Sequence, residues 1–143
     1  MADVVVLKYL RLKPTGGRGK VSGLLLARVR AGLPYAVVEE LVASLGVPQK
    51  ELARVLNIPV TTLSRRKKTG KLLADESDRV IRLARIGAQA EAMMAGDAPT
   101  ARQWLTTPLE IFGAESPLQH CSTEVGAREV EQLIGRLRHG VFS

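Results

Sequence analysis

Apolar residues along most of this chain recur at spacings of three and four, the period of helices that bury one face. The spacing predicts a short helix from Ser22 that stops at Gly32, and Pro34 stands where a new helix can begin. Val37, Val38, Leu41, Val42 and Leu45 then mark the inner face of that helix, closed by Gly46. Two shorter helices are expected next, Gln49–Leu56 and Val60–Thr69, separated by a turn at Asn57–Pro59. Leu52, Ala53, Leu56 and Leu63 fill the space between them. Ala53 is small where the two must approach, and Asn57 tolerates the left-handed backbone that such a turn needs. This is the spacing of a helix-turn-helix.

Beyond Gly70 a longer helix is predicted from "ADESDRVIRLARIGAQAEAMM" to Gly96, with Asp75, Glu76 and Asp78 in a first turn that favours negative charge. Asp97 caps another short helix, broken at Pro108. After a turn-rich connection with one helical turn at Ser116–His120, a last helix begins at a Ser122 or Thr123 cap. It carries Val130, Leu133, Ile134 and Leu137 on one face, pairs Glu124 with Arg128, and closes at Gly140. At the other end "VVVLKYL" reads as a short strand or an apolar strip. "KPTGGRGK" reads as a flexible loop, which is not a phosphate loop because Pro14 and Val21 occupy the positions of its first glycine and its hydroxyl residue.

Composition sharpens this picture. Aromatics make up only 3% of the 143 residues, so the core must be built from Leu, Val, Ile and Ala, which with few β-runs favour helices, and an all-α fold class is expected. One cysteine, Cys121, excludes an internal disulfide and fits a reducing compartment. No apolar run approaches a membrane span and the start lacks the order of a signal peptide, so a cytoplasmic location without membrane association is expected. The net charge of +7 is uneven. Residues 1–73 hold fourteen Lys or Arg against four Asp or Glu, whereas residues 74–143 hold seven against ten. Such asymmetry suggests two jobs, one with a polyanion. We expect a basic arm over 1–20, a helix-turn-helix domain over 21–73 and a second helical domain over 74–143.

The chemistry-bearing residues gather on the second helix of the motif. With Leu63 inward, Thr61, Thr62, Arg65 and Arg66 turn outward, and Lys67, Lys68 and Lys71 extend the charge. Such a helix lies in the major groove, where hydroxyls and guanidinium groups reach base edges and lysines neutralise phosphate; Gln49 and Lys50 would lie near the backbone. The plainer reading is a solvated basic face on a helical hairpin. Arg79, Arg82 and Arg85, every third residue on the long helix, read as solvated rather than as a second ridge. His120 and Cys121 are neighbours, but no third residue orients them as base and nucleophile. Two histidines and one cysteine supply a metal site poorly. No enzyme, metal or cofactor is expected. Val141 and Phe142 either cover the core or dock onto a partner.

The stretches "AGLP", "TTLSRRKKTGKL", "DESDRVIRLARI", "ARQWLTTP" and "SPLQHCSTEVGAREVEQLIGRLRHGVFS" give the chain, from about Gly32 to Ser143, a further meaning. In them it resembles the Xre/MbcA/ParS antitoxins, partners of RES-domain toxins that consume NAD. The resemblance implies an N-terminal Xre-like domain that binds the operator of its own operon, a C-terminal toxin-binding domain, and a homodimer. It places Thr61, Thr62, Ser64, Arg65 and Arg66 on DNA, and Arg136, Arg138, His139, Gly140, Val141, Phe142 and Ser143 against the toxin near its NAD pocket. The expected function is therefore an antitoxin that inhibits its toxin and represses its own operon. The rival is a stand-alone regulator whose C-terminal half only dimerises or binds a ligand.

Overall fold

In the computed structural model, residues 2–13 and 21–140 are described, and they are helical throughout. The helices are α1 (Ala2–Tyr9), α2 (Val21–Ala31), α3 (Ala36–Leu45), α4 (Gln49–Leu56), α5 (Val60–Thr69), α6 (Ala74–Met93), α7 (Ala98–Thr106), α8 (Pro117–His120) and α9 (Glu124–His139), with a 3₁₀ turn at Glu110–Phe112 before α8. Helix α6 is the axis. It packs against α1, α2, α3 and α4 on one side of the sequence and α7 and α9 on the other. Its buried side chains alternate large and small, from Val80 and Ile81 through Leu83, Ala84 and Ile86 to Ala88 and Ala90. The small ones let neighbouring helices approach, and buried side chains from Val6 to Ile134 form one cluster around this axis.

Local signals in the sequence place the helix ends. Gly46, Gly70 and Gly140 are left-handed residues that close α3, α5 and α9. Asp97 accepts a hydrogen bond from the Thr100 N–H at 3.2 Å, and Thr123 rather than Ser122 caps α9 by accepting from Gly126 N–H at 3.0 Å. A short backbone tie joins the two ends of the motif domain: the Leu72 N–H donates to Leu33 O at 2.9 Å and the Tyr35 N–H to Gly70 O at 3.0 Å. Beneath it the buried Ser77 hydroxyl accepts from the Leu33 N–H and donates to Leu73 O, both at 2.8 Å.

The first segment departs from expectation. Ala2–Tyr9 is a helix, not a strand, and it packs as the apolar-strip reading requires: Val6, Leu7 and Leu10 are buried rather than held out on an arm. A run of three valines favours a strand locally, but packing against α6 overrides that preference, since among the described residues no neighbouring strand offers its backbone a ladder. Gly87 makes the contact possible: a β-carbon there would lie 2.5 Å from the Tyr9 hydroxyl oxygen. Burial, assisted by Glu91, holds the Tyr9 phenol well above its usual range. The loop read in residues 14–20 lies outside the described residues.

Candidate functional site

The motif forms as its spacing predicts. Leu52, Ala53, Leu56 and Leu63 are all buried between α4, α5 and their surroundings. Asn57 takes φ 56° and ψ 45°, and its N–H bonds back to the end of α4. These features hold α5 across α4 with Thr61, Ser64, Arg65 and Lys68 exposed. At about 100° per residue these four residues occupy one face, opposite Leu63. Lys67 is exposed beside them, and Gln49 and Lys50 are exposed at the start of α4, where the Gln49 amide also donates to the Tyr35 hydroxyl at 2.9 Å. Among the described residues, no carboxylate lies within ion-pair distance of Lys50, Arg65, Lys67 or Lys68. Thr62 is half-buried and its hydroxyl accepts from Arg65 Nη2 at 3.3 Å.

Arg66 does not join that face. Its Nε and Nη2 donate to the two carboxylate oxygens of Glu76 at 2.8 and 3.1 Å, and its side chain is only 18% exposed. Arg66 lies about 60° from Leu63 and the exposed Lys67 about 40° on the other side, so helix angle does not separate the two; the Glu76 carboxylate on α6 is what draws Arg66 in. Glu76 is 6% exposed and also accepts the Leu73 N–H at 2.8 Å. Burial alone would raise its pKa, but the bonds from Arg66 and the Leu73 backbone outweigh this and hold it below the usual carboxylate value.

The arginines of α6 are likewise not a solvated row. Arg79 donates from Nη1 to the carbonyls of Leu56 and Asn57 at 3.2 and 3.1 Å, and from Nη2 to Asp75 at 3.1 Å. It thus places positive charge on the carboxyl end of α4, where the helix dipole favours it. Arg82 reaches Cys121 O at 3.5 Å, and Arg85 pairs with Glu131 of α9 at 3.1 Å, a carboxylate that Gln89 also contacts at 3.2 Å. Three-residue spacing puts these side chains on neighbouring strips of one broad face, and in this fold that face looks onto other helices.

His120 and Cys121 have structural partners. The imidazole stacks on Phe112 at 4.2 Å, with Nδ1 3.0 Å from Glu115 and Nε2 2.6 Å from Glu129. Burial opposes its protonation, but the two carboxylates outweigh burial and raise its pKa above 6.5. Burial pushes the Cys121 thiol up to about 12, so it is no thiolate nucleophile near neutrality. Among the described residues no group of three His, Cys, Asp or Glu could hold a metal ion, and no helix is long and apolar enough to cross a membrane.

The end of α9 is the second candidate surface. Val130 and Ile134 are buried, but Leu137, predicted on the same face, is 46% exposed. Arg136, Arg138, His139 and Gly140 around it are exposed as well. Helical period alone pointed Leu137 inward, but the core ends one turn earlier. Val141, Phe142 and Ser143 lie outside the described residues.

Comparison with known proteins gives the two halves of the chain their class. Residues 24–85 match the antitoxin Xre-like helix-turn-helix domain, and residues 89–140 match the antitoxin Xre/MbcA/ParS C-terminal toxin-binding domain. The chain is 36% identical over 121 residues to Antitoxin Xre of Yersinia enterocolitica, covering 84% of this chain and 82% of that one. It is 34% identical over 118 residues to Antitoxin Xre of Photorhabdus laumondii, covering 82% and 80%. A Sphingobium protein named Prs ADP-ribosylating antitoxin is 27% identical over 124 residues, covering 80% of this chain and 78% of its own. The fold and both matches define a two-part protein, a helix-turn-helix DNA-binding domain followed by a toxin-binding domain. The chain belongs to the Xre/MbcA/ParS family of antitoxins, which are inhibitors and not enzymes.

Proposed function

We propose that this antitoxin represses its own operon through the exposed face of α5 and neutralises a cognate RES-domain, NAD-consuming toxin through the end of α9 and the four residues after it. The observation that carries the DNA half is the unneutralised face of α5. Thr61, Ser64 and Arg65 stand where side chains reach base edges, while Lys67, Lys68, Gln49 and Lys50 flank them toward phosphate. Thr62 contributes by orienting the Arg65 guanidinium rather than by meeting a base. We assign residues 21–73 to this role and 74–143 to the toxin.

For the toxin half, the support is an exposed Leu137 set among Arg136, Arg138 and His139, an apolar anchor rimmed by two guanidinium groups and an imidazole. That chemistry suits the mouth of a pocket built for an anionic dinucleotide. The name of the Sphingobium relative, with its word "ADP-ribosylating", favours a toxin that uses NAD. Both activities place the protein in the cytoplasm. A homodimer would present two copies of α5 to successive major grooves.

The test is a co-expression of this chain with its adjacent open reading frame, alongside a variant ending at Gly140. Capture of the neighbour and protection of cellular NAD by the full chain, with loss of protection in the truncated one, is expected. Capture of nothing by either would leave a stand-alone regulator. For the DNA half, Arg65→Ala is expected to weaken binding to a duplex from upstream of the gene by about ten-fold or more. Unchanged gel-shift affinity would remove the assignment.

A further inference from the structure

Two consecutive turns of α6 grip the helix-turn-helix from behind. Glu76 holds Arg66 in the last turns of α5 through two parallel bonds, at 2.8 and 3.1 Å. One turn on, Arg79 holds the carboxyl end of α4 through the Leu56 and Asn57 carbonyls. Glu76 is itself anchored, since Oε1 accepts the Leu73 N–H at 2.8 Å at the entry to α6. A planar guanidinium forked onto a carboxylate fixes roll as well as distance, which one charge on a flexible stem does not. Leu63 is the buried apolar side chain of α5 and a backbone bond from Tyr35 to Gly70 holds its end, while the fork at Arg66 ties the roll of the helix to α6.

We infer that Glu76 is a positioning residue for DNA recognition: through Arg66 it sets the angle at which Thr61, Ser64, Arg65 and Lys68 are presented to the major groove, while neither member of the pair touches DNA. The inference rests on the operator-binding reading above. A buried ion pair adds little net stability compared with apolar side chains of similar size, so the role assigned to this one is geometric. An error of a fraction of an ångström in the rotation of a recognition helix falls on every base contact together. Nonspecific phosphate contacts, made by mobile lysines, tolerate it.

This separation gives a direct test. Full-length wild type, Arg65→Ala, Glu76→Gln and the apolar pair Arg66→Met with Glu76→Leu are titrated onto two duplexes, one from upstream of the gene and an unrelated one of equal length, across a salt series. Melting temperature and capture of the co-expressed neighbour report folding. Glu76→Gln is expected to lower the upstream-to-unrelated affinity ratio about ten-fold, with the salt dependence unchanged. The apolar pair restores melting temperature and not the ratio. Should the apolar pair melt like wild type and discriminate like it, the fork positions nothing and the inference is overturned. A salt slope shallower by about one in that pair overturns it differently, by making Arg66 a phosphate contact. If instead Arg65→Ala binds the upstream duplex like wild type, the operator reading itself fails and takes the inference with it. Loss of affinity in Arg65→Ala without any effect of Glu76→Gln rejects the positioning role alone.

Discussion

The backbone carbonyl oxygen of His120 fills the space beside Gly126 that any side chain would need: a β-carbon at position 126 would lie 1.9 Å from it. Helix α8 therefore meets the first turn of α9 backbone to backbone, and the toxin-binding half is built on that joint. Gly126→Ala must push the two apart. A cost of about 1–3 kcal/mol is expected, read as a lower urea midpoint, with weaker capture of the toxin. An unchanged midpoint would show that the joint yields at no cost.

His120 links stability to pH through Glu115 and Glu129. Its pKa in the folded protein is raised above 6.5. The protonated ring therefore stabilises the fold fully below about pH 6.5, and this contribution disappears as pH rises through the folded value. The melting temperature of His120→Gln should fall furthest below that of wild type near pH 6, with the gap narrowing by about pH 9. A gap independent of pH would show that the ring acts by stacking on Phe112 alone.

Ile134 and Leu137 lie three residues apart on α9 and should separate folding from binding. Ile134 is buried, so Ile134→Ala is expected to cost about 2–5 kcal/mol. Leu137 is 46% exposed, so Leu137→Ala should change stability by less than about 0.5 kcal/mol while weakening toxin capture. Parallel melting curves and pull-downs decide it. Equal destabilisation by the two variants would return Leu137 to the core.

Cys121 should be inert in the folded protein. Its thiol is buried and pushed up to about 12, so iodoacetamide near neutral pH should label it only as fast as the protein opens. Labelling of the native protein as rapid as that of the urea-unfolded chain would contradict this burial.

Several features were legible because a few adjacent residues decide them. Asn57 in the left-handed region, Gly46, Gly70 and Gly140 as helix stops, Asp97 as a cap, a cap at Ser122 or Thr123, and the pair Glu124–Arg128 all depend on contacts within one turn. The same is true of Leu52, Ala53, Leu56 and Leu63, whose neighbours on adjacent helices are brought together by a three-residue turn. Arg66 shows the limit. The motif turns it outward on sequence grounds, but the carboxylate that draws it in sits ten residues on, in another helix.

What the sequence alone determined about this protein is its all-helical class, the motif with its turn, and the basic face of α5, since periodicity and charge are properties of local chain. Only the tertiary structure decided what each charged side chain meets. Glu76 is the favourable first-turn charge that the sequence indicates and is also the anchor of Arg66; Arg79, Arg82 and Arg85 looked solvated and instead join α6 to α4, α8 and α9. It also turned the valine run of α1 into a helix and left Leu137 outside the core. The reason is common to all of them. A long polar side chain or an apolar face is compatible with several environments, and the choice among them depends on which distant element packs alongside, a contact that local propensity does not encode.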